Sequence, residues 1–186
     1  MSRSGVRVVA GAHRGRRLRV PEGRDVRPTA DRVKEAVFSI LGNRVAAARV
    51  LDLFAGSGAL GIEALSRGAS EVWFVEVARK AMASLRSNLE AVRSAECSRV
   101  IQDDALRPDR WAADEAFDLV FADPPYRKDL GPAVLDAFTA HLAPGGMLIL
   151  EHERGIAPAH PGWRLLDARQ YGDTSVSFYA LSGGEN

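Results

Sequence analysis

Short apolar segments alternate with helical segments between residues 50 and 151 of this chain. The apolar segments lack polar residues at every second position, as expected for strands buried on both faces of a sheet. Strands that are separated by helices in this way pair in parallel. The predicted strands are 50–53, 72–75, 100–101, 117–122 and 147–151, and the predicted helices are 59–67, 78–92 and 131–141. The pattern therefore predicts an α/β fold around a mostly parallel sheet.

The two ends of the chain follow other patterns. Segments 163–168 and 175–181 are consecutive strands joined through Tyr171, Gly172 and Asp173, which predicts an antiparallel hairpin that completes the sheet. Apolar residues recur at helical spacing over 31–41, and Pro28 and Thr29 supply a helix start signal. With 186 residues, the chain has the size of one domain.

Charge is divided unequally along the chain. Residues 1–49 contain 12 Lys and Arg against 4 Asp and Glu, a net charge of +8, and the remainder has a net charge of −7. Clustered guanidinium groups suit phosphates, because they neutralise them and release counterions. The candidate phosphate contacts are Arg3, Arg7, Arg14, Arg16, Arg17 and Arg19.

Interleaved valines, with Gly11 and Gly15 available for the turn, favour an ordered hairpin in this opening segment. A solvated, partly disordered terminus is the alternative. We expect a basic arm over residues 1–28 and the main domain over residues 29–186.

A glycine-rich loop follows the first predicted strand. Gly56, Gly58 and Gly61 let the backbone approach a ligand closely at a helix N-terminus. This spacing also fits a dinucleotide site, and Glu76, which closes the second strand, suits the ribose of either ligand. Asp52 favours S-adenosylmethionine over NAD, because a carboxylate suits an ammonium and a sulfonium group better than a pyrophosphate.

Two further segments bear on the cofactor. Asp103 and Asp104 follow the third strand, where one carboxylate could accept a hydrogen bond from the adenine amino group. The alternative role for such an aspartate is to cap a helical turn. Phe54, inside the glycine loop, could line the cofactor pocket.

The segment Asp123-Pro124-Pro125-Tyr126 follows the apolar strand 117–122 at its carboxyl end, which is the ligand-binding edge of an open α/β sheet. Two consecutive prolines make a stiff turn whose carbonyl groups point in set directions. If the Asp123 carboxylate and the Pro124 carbonyl accept both N–H groups of a nucleobase amine, its lone pair is freed for attack on a methyl donor. The Tyr126 ring could stack on a base that has left its helix or loop.

Other residue types point away from metal, redox and membrane chemistry. Cys97 is a single cysteine, the four histidines have no metal-ligand spacing, and the three tryptophans suit core or half-buried packing. We expect no metal. No apolar run approaches the roughly 18 residues of a membrane span, and no signal-peptide pattern is present, so we expect a cytoplasmic protein without a membrane partner.

These motifs resemble the RsmD-type family, bacterial 16S rRNA guanine-N2 methyltransferases that modify guanine 966 of the small-subunit RNA. The resemblance covers nearly the whole chain and rests on five blocks, within residues 9–18, 27–36, 52–65, 123–126 and 171–174. It implies a Rossmann-like class I methyltransferase fold, with a seven-stranded, mostly parallel sheet and an antiparallel C-terminal hairpin. It also implies S-adenosylmethionine as donor, and 16S rRNA in an assembled or assembling small subunit as substrate.

With that resemblance, the expected site can be assigned residue by residue. The cofactor-binding residues are Thr29, Asp52, Phe54, Ala55, Gly56, Gly58, Glu76, Asp104 and Ala105, and the catalytic residues are Asp123, Pro124, Pro125 and Tyr126. The six arginines of the arm are the expected RNA contacts. We expect the protein to act as a monomer.

The residues alone leave the target base open. Adenine N6, cytosine N4 and guanine N2 are all exocyclic amines that this chemistry serves, so guanine rests on the resemblance. A DNA adenine or cytosine amino-methyltransferase is the first alternative, although 186 residues leave little room for a target-recognition domain. An NAD-dependent dehydrogenase would share the glycine loop, and a non-enzymatic RNA-binding module would need a vestigial pocket.

Overall fold

The computed structural model describes residues 6–20, 29–125 and 130–183 of the chain. In these residues, seven strands form one sheet in the order β3-β2-β1-β4-β5-β7-β6. The strands are β1 (Arg49–Leu53), β2 (Glu71–Val75), β3 (Ser98–Ile101), β4 (Phe117–Ala122), β5 (Leu142–Glu153), β6 (Trp163–Tyr171) and β7 (Thr174–Leu181). The α-helices are α1 (Thr29–Leu41), α2 (Ala59–Ser66), α3 (Arg79–Val92) and α4 (Gly131–Phe138).

The first five strands pair in parallel, and β7 is antiparallel to both of its neighbours, β5 and β6. This arrangement confirms the predicted seven-stranded α/β fold with its C-terminal hairpin. Parallel pairing places the carboxyl ends of β1, β2, β3, β4 and β5 at one edge of the sheet, where ligands bind in open α/β folds.

The boundary between α4 and β5 differs from the prediction. The helix ends at Phe138, three residues early, and β5 begins at Leu142, five residues before the predicted start. Leu142 pairs with Phe117, and the register then shifts so that Leu119 pairs with Met147. Pairing with β4 therefore extends β5 to residues before the apolar segment 147–151, where the sequence pattern does not predict a strand.

Helices cover both faces of the sheet. One buried cluster contains apolar residues of α1, α2, α3 and the basic arm, and the other contains those of α4. Alternate strand residues face opposite clusters, so that Val50 lies in the first and Leu51 in the second. Trp73 and Trp163 are buried in the second cluster, and Trp111 packs against it, as predicted.

The opening segment forms a hairpin in residues 6–20. Arg7 and Arg17 form an antiparallel bridge, and the Val8 N–H donates to the Arg16 carbonyl oxygen at 2.9 Å. Gly11 and Gly15 both have a positive φ, +79° and +83°, as a turn at these two positions requires. The predicted hairpin is therefore confirmed over residues 6–20, in place of the partly disordered terminus that was the alternative. The boundary at residue 28 lies outside the described residues, so the division into arm and domain stays a prediction.

Candidate active site

The strand register brings the predicted site segments to one edge of the sheet. Leu53, at the end of β1, pairs with Val75 of β2 and with Ala122 of β4. The loops that follow these strands carry the glycines, Glu76 and Asp123, respectively. Residues that are separated by up to about 70 positions in sequence therefore leave the sheet side by side.

Two carboxylates hold the glycine loop in place. The Gly61 N–H donates to Asp52 Oδ2 at 2.9 Å, and the Gly56 N–H donates to Glu76 Oε2 at 2.8 Å. The other oxygen of Glu76 accepts the Ala78 N–H at 2.8 Å. Asp52 and Glu76 thus shape the loop and face its interior.

The loop backbone is unusual at three positions. Phe54, Gly56 and Gly58 all have a positive φ, and Phe54 is the only one of them with a side chain that makes this conformation costly. A Cβ on Gly58 would overlap Leu85 of α3. Because the end of the Leu85 side chain is flexible and can move aside, the positive φ of +81° is the stronger reason for glycine at position 58. Ala55, between Phe54 and Gly56, is half-buried.

Asp52 has a strongly perturbed carboxyl group. The residue is 2% exposed, and burial raises the pKa of Asp52 to about 8, with smaller contributions from the nearby Asp123 and Glu76 carboxylates. The Gly61 hydrogen bond acts in the opposite direction and lowers the pKa. Three carboxyl groups share this site, so its electrostatic potential favours a bound cation.

The segment after β3 shows the capping role that the sequence left open. Asp104 Oδ1 accepts the Leu106 N–H at 3.0 Å, and Asp103 pairs with Arg110 at 3.1 Å. The Asp104 residue is exposed and Ala105 is buried. Asp104 therefore stabilises a turn. Because Val75 of β2 pairs with Ile101 of β3, this turn begins at the same edge of the sheet as the end of β2.

The segment that follows β4 begins with Asp123, Pro124 and Pro125, and we call it the acidic turn. It borders a cavity of about 140 Å³. Asp123 lies on its wall, together with the start of α2 at Ala59 and Leu60. Pro124 is buried and Pro125 is exposed. Tyr126, the fourth residue of the motif, lies outside the described residues. The cavity therefore lies between the acidic turn and the helix that follows the glycine loop.

Two charged residues outside the predicted site, Lys34 and Glu151, also line this cavity. Lys34 occupies a helical position of α1 that reads as an ordinary solvated charge. Burial lowers the pKa of Lys34, against the raising effect of Glu63 and Asp31. Glu151 closes the predicted strand 147–151, so the rule that selected Asp123, a polar residue at a strand end, could have found it.

The basic arm is attached to the main domain through a buried carboxylate. Glu63 on α2 is fully buried and accepts the Val9 and Ala10 N–H groups at 2.7 and 3.0 Å. Lys34 and Arg67 compensate its charge at 3.4 and 2.9 Å. A buried carboxylate with two cationic partners and two backbone donors is well satisfied, so this contact holds the arm in a defined position.

A second buried side chain joins the hairpin, near its end at Arg19, to the glycine loop. Asn88 on α3 accepts the Arg19 N–H at 2.8 Å and donates to the Arg19 and Ser57 carbonyl oxygens at 2.9 Å each. One amide group therefore contacts both the expected RNA-binding segment and the expected cofactor loop. Its position on a helix, 69 residues from Arg19, gave no signal in the sequence.

The arginines predicted to bind RNA are exposed on the arm wherever the structure describes them, at Arg7, Arg14, Arg16, Arg17 and Arg19. Arg3 lies outside the described residues. Thr29 is the first residue of α1.

Within the described ranges, no group of three or more His, Cys, Asp or Glu is placed to hold a metal ion. Across residues 6–20, 29–125 and 130–183, no helix combines the length and the apolar character that crossing a bilayer requires.

Comparison with known proteins identifies the family. The family model described as "Conserved hypothetical protein 95" matches residues 6–180. A candidate rRNA methyltransferase of Bacillus subtilis, YlbH, is 37% identical over 184 residues, which cover 96% of this chain and 100% of the relative. "Ribosomal RNA small subunit methyltransferase D" of Haemophilus influenzae is 36% identical over 179 residues, which cover 94% of this chain and 93% of the relative.

A solved structure extends the similarity to three dimensions. It comes from Escherichia coli and is described as a candidate methyltransferase, yhhF. It is 33% identical to this chain, has a TM-score of 0.83, and the match covers 94% of this chain and 96% of that chain. Because the family model matches residues 6–180 and these two relatives match along nearly their whole length, the chain belongs to the RsmD-type family of rRNA methyltransferases.

Proposed function

We propose that this protein transfers a methyl group from S-adenosylmethionine to the N2 amine of a guanine in 16S rRNA of the small ribosomal subunit. The observation that carries the proposal is the strand register, which brings Asp52, Glu76 and Asp123 to one edge beside a cavity. The relatives named as rRNA methyltransferases support the reaction class and the RNA substrate. By family resemblance, the target is the guanine equivalent to position 966.

The residues around the glycine loop fit a cationic nucleoside cofactor. Asp52 is buried beside two other carboxylates, and its pKa is raised. The ammonium and sulfonium groups of S-adenosylmethionine would stabilise its charged form. Each oxygen of Glu76 accepts one N–H, which leaves lone pairs for the ribose hydroxyl groups. The cofactor supplies a methyl group on positively charged sulfur.

The other cofactor contacts follow from the edge of the sheet. Phe54, Ala55, Gly56 and Gly58 would line the methionine and ribose end. Asp104 and Ala105 would meet the adenine, and Thr29 would close the pocket from α1.

The acidic turn would prepare the target amine. Its N2 lone pair is conjugated with the ring, so hydrogen bonds from the two N–H groups to the Asp123 carboxylate and the Pro124 carbonyl would draw the nitrogen toward tetrahedral geometry. Held in this way, the lone pair would be directed at the methyl group that the bound cofactor supplies, with the neutral thioether as leaving group, and the methylated amine would lose one proton to solvent. Most of the protein's contribution is orientation and electrostatic placement. Tyr126 would stack on the extruded base.

The basic arm would bind the RNA backbone. Its exposed arginines lie on a hairpin that Glu63 and Asn88 hold against the helices beside the site. Fixed guanidinium groups can neutralise phosphates while the target base enters the cavity. We propose residues 1–28 as the RNA-binding arm and residues 29–186 as the methyltransferase domain, acting as a monomer in the cytoplasm.

A methyl-transfer assay tests the proposal. Small-subunit particles from cells that lack the gene are incubated with the protein and S-adenosylmethionine labelled in its methyl group, and the RNA nucleosides are then separated. We expect label in N2-methylguanosine with the wild-type protein, and a loss of more than about a hundredfold with Asp123→Ala at unchanged cofactor binding. Label in adenine or cytosine, or no label despite cofactor binding, would overturn the proposal.

A further inference from the structure

Two carboxylates stand side by side at the wall of the cavity. Phe121 of β4 and Ile149 of β5 both lie in the buried cluster beneath α1, and strand residues two positions apart share a face. Asp123 and Glu151 follow them by two positions, and the residues just before them, Ala122 and Leu150, are paired. Adjacent strands lie about 4.8 Å apart, so both carboxylates enter the cavity from neighbouring positions.

Most of the remaining cavity wall is apolar, including Val33 and Val37 of α1. Lys34 also lies on the wall, but its ammonium group is directed to other acceptors. It pairs with Glu63 at 3.4 Å and Asp31 at 3.8 Å, and it donates to the Arg7 carbonyl oxygen. The Arg7 carbonyl oxygen and the Glu63 carboxylate are within hydrogen-bond reach of this ammonium group, and Asp31 is a longer ion pair. The other charged side chains on the wall are the carboxylates of Asp123 and Glu151, which are hydrogen-bond acceptors.

A pair of acceptors distinguishes guanine from the other bases that carry an exocyclic amine. On guanine, the N2 amine adjoins N1–H, so two donors are neighbours. On adenine and cytosine, the amine adjoins a ring nitrogen that is itself an acceptor. A second carboxylate would face that lone pair, repel it and remain unsatisfied. Sites built to hydrogen-bond a substrate group strongly reject analogues that lack it.

We propose that Glu151 is a specificity-determining residue, which accepts the N1–H of the target guanine while Asp123 holds the N2 amine. The inference rests on the proposed function, because it assigns the second acceptor of the same site. It explains how a chain with a general amine-binding turn selects guanine. A Glu151 that only stabilised β5 would have no effect on the choice of base.

A change of functional group in the target base tests the role. Small-subunit particles are assembled with 2,6-diaminopurine in place of the target guanine, which keeps the 2-amino group but turns N1 into an acceptor. We expect the wild-type kcat/KM to fall by roughly a hundredfold or more on this base. In Glu151→Gln, the side-chain amide can donate to N1, so the ratio between the two bases should fall below about tenfold, while transfer to guanine becomes slower.

Glu90→Gln is the matched control, because Glu90 is exposed on α3 away from the cavity. It should keep the wild-type rate and the wild-type ratio. Equal wild-type rates on guanine and diaminopurine would overturn the inference without any variant, as would an unchanged ratio in Glu151→Gln. Absence of transfer to any guanine by the wild-type protein would instead refute the proposed function. Transfer to guanine with no base discrimination would refute the role of Glu151 alone.

Discussion

Replacement of Asp52 by asparagine should make the protein without cofactor more stable, and increasingly so as the pH rises. Asp52 is 2% exposed, and its pKa in the folded protein is about 8, against 3.8 for an ordinary aspartate. Between these values, the folded state keeps a proton that the unfolded state has lost. The contribution of Asp52 to the free energy of unfolding is therefore fully present below pH 3.8 and is lost as the pH rises through about 8. Asparagine keeps the shape of the side chain and its acceptor for the Gly61 N–H, but it never ionises.

The size of the effect follows from the shift. One pKa unit corresponds to about 1.4 kcal/mol, so the advantage of Asp52→Asn should grow by about this amount per pH unit between roughly pH 5 and pH 7.5. It should level off above about pH 8, at roughly 6 kcal/mol. Near pH 4 the two proteins should differ little.

Urea unfolding between pH 5 and pH 8.5 measures this difference in the free energy of unfolding. Asp114→Asn, at an exposed position before β4, is the control, and its difference from wild type should not vary with pH. Affinity for S-adenosylmethionine should change in the opposite sense, because the variant lacks the charge that meets the cation. A pH-independent stability difference for Asp52→Asn would refute the burial argument, and unchanged cofactor affinity would refute the binding role.

Further predictions concern the basic arm. Glutamine at Arg14, Arg16 and Arg17 together should weaken binding to small-subunit RNA and lower the slope of log affinity against log salt by about two to three, measured by filter binding, because up to three phosphate contacts are lost. Equal loss of cofactor affinity would contradict a role confined to RNA. Gly11→Ala should destabilise the fold by roughly 2–4 kcal/mol and Gly15→Ala by only about 1 kcal/mol. Both glycines have a positive φ, but a Cβ on Gly11 would overlap the carbonyl oxygen of the last residue of α2, whereas one on Gly15 meets nothing within 4 Å. Similar losses in urea unfolding would refute the close contact.

The parts of the fold that were predicted correctly depend on local chemistry. Apolar runs without alternation mark strands that are buried on both faces, and Asp123 with its two prolines makes a stiff turn wherever it lies. Parallel pairing then requires that residues at strand ends meet. For this reason, the meeting of Asp52, Glu76 and Asp123 at one edge could be predicted, although none of the three lies near another in sequence.

The side-chain contacts that attach the hairpin to the helices could not be predicted. The Glu63 carboxylate and the Asn88 amide occupy helical positions that resemble any solvated polar residue, yet both are buried against a hairpin more than 50 residues away. Likewise, the early start of β5 depends on pairing with β4. No local pattern records which backbone groups will need a partner after the chain has packed.

The sequence by itself determined the alternation of strands and helices, the glycine loop and the acidic turn, because each is encoded by neighbouring residues. Only the tertiary structure decided the ionisation of Asp52, the attachment of the basic arm and the position of Glu151 beside Asp123. These properties depend on burial and on distances through space, and both arise only when the elements have packed together.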